Sequence, residues 1–142
     1  MSPGSPQSSD TPVLELWMLV VLRFAAVYNL LAGACMIIFV HEGYKWLAIP
    51  KPQLVMPDQL VGMLVAIFGI GYWLVSRDPL TNRNVLLLGL LSKTLGPLLS
   101  FYYVAVGKLP PSFVLILLVS DLIYIPLFAI ILRRLYRLAR ES

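Results

Sequence analysis

The chain alternates long apolar runs with short polar links, and the length of the runs sets the architecture. A helix crossing about 30 Å of hydrocarbon needs about 20 apolar residues at roughly 1.5 Å rise per residue. Four segments meet that requirement, Leu14–Val40, Gln59–Ser76, Asn84–Val106 and Ser112–Leu132. A membrane β-barrel would instead show short alternating strands, so the pattern predicts helices. Between the first two runs, His41–Asp58 contains Pro50, Pro52 and Pro57, which interrupt a helix, together with Tyr44, Trp46 and Leu47, which suit a membrane interface. A short interfacial turn or re-entrant loop is expected there. The links Arg77–Arg83 and Gly107–Pro111 are short enough to make sequential helices antiparallel neighbours.

The predicted fold is an all-α integral membrane protein, an antiparallel bundle of four transmembrane helices over residues 13–134. A Ser- and Pro-rich tail over 1–12 is expected to be disordered, and 135–142 reads as a basic tail. Residues 1–12 lack the basic start of a secretory signal, so the first apolar run is expected to remain in the mature protein. No repeat or second domain is evident.

Composition sharpens this picture, since 59% of the 142 residues are hydrophobic and 13% charged, with mean hydropathy +0.85. A soluble domain would not carry that balance. The net charge of +4 comes from basic residues flanking the apolar runs, which makes them orientation signals rather than a nucleic-acid footprint. An even number of spans puts both termini on one face, with Arg77, Arg83, Arg133, Arg134, Arg137 and Arg140; Lys45, Lys51 and Lys108 fall on the other. The termini are therefore expected in the cytoplasm, with the protein multi-pass in the cytoplasmic (inner) membrane. Cys35 is the single cysteine, which excludes an intrachain disulfide, a C-x-x-C pair or a cysteine-based zinc site.

Candidate chemistry lies inside the spans. Arg23, Lys93 and Asp121 are ionisable residues that cost free energy in hydrocarbon unless paired or hydrated. Rise per residue places Arg23 and Lys93 about 13 Å, and Asp121 about 16 Å, from the cytoplasmic boundary, nearly one layer. Pro97 frees the carbonyl of Lys93, and Pro126 that of Leu122, so both helices are expected to bend beside a charge and enclose a polar pocket. Small-residue stripes point to packing seams at Ala25, Asn29, Ala32 and Met36, at Gly62, Ala66 and Gly69, and at Gly89, Lys93, Gly96 and Ser100.

Lys93 and Asp121 read either as a structural pin, with Arg23 snorkelling to headgroups, or as a proton or anionic-ligand site that includes Arg23. Tyr28, Asn29, Tyr72 and Tyr124 could contact a quinone or lipid, although polar residues at such positions also join helices. His41, Glu42 and Asp58 match no firm metal pattern, so no metal is assigned, and Gly69-Ile70-Gly71 lacks the strand that a nucleotide loop needs. Arg133, Arg134, Arg137 and Arg140 read as a topology anchor that could also bind anionic lipid.

Leu22-Arg23-Phe24 in the first helix, Gly69-Ile70-Gly71-Tyr72 ending the second, and Arg77-Asp78-Pro79 leading into the third make most of Leu14–Leu132 resemble the DoxX-like families of small bacterial membrane proteins. The resemblance implies the four-helix fold, and some such relatives are associated with quinone-linked oxidoreductases. Lys93 and Asp121 match no established motif of that group.

Three functions follow as expectations. The first is a membrane accessory or assembly protein holding a non-covalent quinone or lipid, its partners being the bilayer and either further copies of itself or a larger membrane complex. The second is a small proton-coupled or anion transporter using Lys93 and Asp121. The third is an enzyme acting on a lipid-soluble substrate with Asp121 or His41 as base, for which no nucleophile or paired carboxylates are visible.

Overall fold

The computed structural model describes residues 12–141, and among them every regular element is helical. The elements are α1 (Leu16–Ile38), α2 (Val40–Leu47), α3 (Met56–Arg77), α4 (Arg83–Ala105), α5 (Phe113–Leu117), a π turn (Leu118–Leu122) and α6 (Tyr124–Glu141). Four helical stretches are long and apolar enough to cross a membrane: α1, α3, α4 and the continuous Phe113–Glu141. Only 22–33% of each apolar window is buried inside the chain. Leu95, Leu98 and Leu99 on α4, and Leu16, Val20 and Phe24 on α1, stand exposed, a surface that suits lipid and not water. The molecule is a multi-pass membrane helix bundle.

Several boundaries differ from the sequence expectation for local reasons. The first helix ends at Ile38, and α2 occupies the segment expected to be a turn or re-entrant loop. α2 closes at Ala48, whose φ of 54° reverses the chain before Pro50 and Pro52. The second span starts three residues early at Met56, because Pro57 falls in the first helical turn, where no backbone N–H is required. The third shifts by one residue at each end and stops where Gly107 takes φ 70° and Lys108 N–H bonds the Tyr103 carbonyl. The last span does not end at Leu132: the helix runs to Glu141, with Leu135 buried, so residues 135–141 of the expected basic tail belong to the bundle. Residues 1–11 of the expected N-terminal tail lie outside the described residues.

α1 packs along α3, and α4 along α6. Gly62, Ala66 and Gly69 form the α3 side of the first seam: a Cβ on Gly69 would stand 2.7 Å from the Ala26 carbonyl oxygen and 2.9 Å from the Leu30 nitrogen. The backbones therefore approach more closely than any side chain allows. On α1 the seam runs through Ala26, Leu30 and Gly33, one face over from the expected stripe, whose Ala32 and Met36 line a cavity instead. On α4, Gly89 and Lys93 are buried with Leu86 and Pro97, whereas Gly96 and Ser100 also face the cavity.

One end of the bundle is tied by polar contacts. Arg134 bonds the Val13 carbonyl at 2.9 Å and the Pro12 carbonyl at 3.1 Å, and pairs with Glu15. Tyr136 donates to Asn84 at 2.7 Å, with the Arg83 guanidinium 5.7 Å from its ring centroid.

Candidate functional site

The site is organised by an irregularity in the last span. In the π turn, Ile123 N–H reaches back five residues to the Leu118 carbonyl at 3.1 Å, and Pro126 follows with no N–H to give. The turn presents Ser120 and Asp121 to α4. Lys93 Nζ, on a side chain 5% exposed, donates to the Ser120 carbonyl at 2.7 Å and lies 3.3 Å from Asp121 Oδ1. Ser120 Oγ donates to the other carboxylate oxygen at 2.7 Å. The ammonium also sits 4.8 Å from the centroid of the Tyr124 ring. Both oxygens of Asp121 are thus occupied, and the Lys93 charge is met by a carboxylate, a carbonyl dipole and a ring face.

Aromatic packing fixes the neighbourhood. Tyr124 lies between Tyr28 and Phe128, with centroid separations of 6.3 and 5.6 Å. Tyr72 meets Phe128 edge-on at 4.9 Å. Its hydroxyl reaches α4 because residue 89 is glycine: a Cβ there would stand 2.6 Å from that oxygen.

A cavity of about 880 Å³ runs from this cluster to α2. It opens where α1 and α4 do not pack against one another. Tyr28, Asn29, Tyr72, Lys93 and Asp121 line its inner end; Val65, Phe68, Phe113 and Ile116 line the middle; Glu42, Tyr44, Trp46 and Asp58 line the end at α2. There Tyr44 donates to Asp58 at 2.9 Å, fastening α2 to the start of α3. Partial burial raises the pKa of the Tyr44 hydroxyl above its ordinary value, and its hydrogen bond to the Asp58 carboxylate and that charge push the same way.

The structure brings Lys93 and Asp121 together, sets Tyr28, Asn29 and Tyr72 around the adjoining cavity and lays Tyr124 against Lys93. It does not bring Arg23 there. Arg23 is exposed on another face of α1, its guanidinium 5.8 Å from the Trp73 ring centroid. Pro97 sits buried within an unbroken α4, and Pro126 just after the π turn. His41 Nδ1 lies 3.0 Å from Lys51 Nζ, and no three His, Cys, Asp or Glu side chains among the described residues are placed to hold a metal ion.

Ser120, Ser92 and the Tyr44–Asp58 latch escaped sequence reasoning. Ser120 precedes Asp121 directly and could have been found; the latch joins residues 14 apart, with no periodic signal. Cys35, exposed, lies on the cavity wall. No protein-family model, curated protein or solved structure matches this chain.

Proposed function

We propose that this chain is an accessory or assembly protein of the cytoplasmic membrane that holds a lipid-soluble amphiphile, a quinone or a lipid, within its helical bundle. The observation that carries this reading is the cavity of about 880 Å³, apolar along its middle and polar at its inner end. Ligand sites combine these features, a largely apolar wall with a few convergent polar groups, and the volume lies within the usual range of about 300–1,000 Å³. Tyr28, Asn29, Tyr72 and Lys93 are the contacts proposed for the polar end of the ligand. The same residues that resemble DoxX-like proteins support a quinone as one candidate.

An antiparallel arrangement with both termini in the cytoplasm belongs to this proposal. It is supported by the joining of Pro12–Glu15 to Arg134 and of Asn84 to Tyr136, and by the arginines collected at that end.

Native mass spectrometry of the protein taken gently from its own membrane, wild type beside Lys93→Met, tests the reading. The wild type is expected to retain a small molecule that the variant loses while keeping its melting transition. A bare bundle in both samples removes the binding role. A second reading, proton or anion transport, draws on one observation, that the Lys93–Asp121 pair borders open cavity space. Flux through reconstituted vesicles that is unchanged by Asp121→Asn would eliminate it.

A further inference from the structure

The charge and hydrogen-bonding state of the cavity narrows its occupant. Its lining includes three acids, Glu42, Asp58 and Asp121, and one base, Lys93. Lys93 is already met by Asp121 and the Ser120 carbonyl, so the inner end offers an anion no uncompensated charge. Glu42 and Asp58 stand at the α2 end, whose residues are the more exposed. A phosphate headgroup would have to pass two carboxylates and then displace a made ion pair.

The inner end nevertheless holds unused donors. Asn29 is 5% exposed and Tyr72 1%, and neither side chain has a hydrogen-bond partner among the described residues. Their polar atoms are not sealed in protein, because the one sealed and unpartnered side-chain nitrogen or oxygen among those residues is Arg83 Nε. Since Tyr28, Asn29 and Tyr72 all line the cavity, these groups meet open cavity space. Buried polar groups of this kind require a partner, and hydroxyl and amide N–H donors call for an acceptor oxygen.

On the binding role proposed above, we infer that the cavity takes an amphiphile with an uncharged, acceptor-bearing head, a ring or ester carbonyl, which lies at the Tyr28–Asn29–Tyr72 end with its apolar chain toward α2. Anionic headgroups are refused by Glu42 and Asp58. A cation would be drawn to those acids and would find no acceptor at the inner end, where Asp121 is fully used.

The test offers the full chain, in lipid nanodiscs, decyl-benzoquinone, monodecanoylglycerol, decyl phosphate or decyltrimethylammonium. Bound mass is read by native mass spectrometry, and occupancy of the cavity by slowed alkylation of Cys35 with N-ethylmaleimide. The uncharged probes should bind at least about tenfold more tightly than the phosphate or the ammonium. Whichever of the two is held more tightly identifies the source, ring or ester. Asn29→Leu with Tyr72→Phe should reduce their binding, and Glu42→Gln with Asp58→Asn should admit decyl phosphate, each variant retaining the wild-type melting transition. Decyl phosphate or decyltrimethylammonium binding as tightly as the uncharged probes overturns the inference and leaves a binding cavity standing. No probe bound at all removes both.

Discussion

Lys93 satisfies two acceptors at once, so the consequences of removing either charge are unequal. Asp121→Leu leaves the ammonium with the Ser120 carbonyl alone and is expected to lower stability by about 1–3 kcal/mol. Adding Lys93→Leu should return part of that loss, with a coupling of about 1 kcal/mol, read from thermal unfolding of the single and double variants in detergent. Losses that simply add would show that the two side chains do not act on one another. Both residues were legible in the sequence because an ionisable group inside an apolar run is conspicuous. Arg23 was equally conspicuous, yet it faces Trp73. Counting residues along a helix gives depth but not azimuth, and three groups at one depth need not share a side. Asn29 and Tyr72 carry no such flag, since their importance lies in the cavity beside them.

The spans themselves were readable because an apolar run of bilayer length fits little besides a membrane crossing. What runs between and along them was less so. α2 was hidden by the prolines that follow it, and the α1 seam shifted by a face because Ala25 and Ala26 are adjacent small residues with no way to rank them by sequence. That seam yields a contrast between two glycines. A Cβ on Gly33 would meet the Ala66 nitrogen at 2.8 Å, whereas one on Gly96 would meet nothing within 4 Å. Gly33→Ala should therefore cost about 1–3 kcal/mol by forcing α1 from α3, and Gly96→Ala should leave stability unchanged or raise it by up to about 1 kcal/mol through helix propensity. Equal effects in a denaturation series would contradict the seam.

The latch between α2 and α3 should in turn respond to alkali. A raised Tyr44 pKa means that docking favours the neutral hydroxyl. Its contribution is complete below the ordinary tyrosine value of about 10 and is lost as pH climbs through the raised one. Trp46 fluorescence should report α2 leaving at high pH, and Tyr44→Phe should lack that step.

At the scale of the whole molecule, the bundle is asymmetric from end to end. Arginines and the knot of Arg134 with Pro12–Glu15 mark one end, and the cavity opens toward the other, at α2. If the arginine end is cytoplasmic, reporters fused at either terminus should both be active only inside the cell, and a cysteine placed at Lys108 in a Cys35→Ser background should react with an impermeant maleimide from outside. A reporter pair split across the membrane would exclude an even number of crossings.

The π turn links these two ends in a way that composition cannot express. A π turn is an α-helix carrying one residue more than its ladder needs, so it acts as a phase offset between the stretches it joins. Ahead of it, Phe113 and Ile116 are set for the cavity; behind it, Phe128, Ile131 and Leu135 are set for the core. Removing a single residue from Leu118–Leu122 would restore a plain helix and turn everything downstream by about 100°. Substitutions there would be absorbed locally, but a one-residue deletion would detune the basic end and the cavity together.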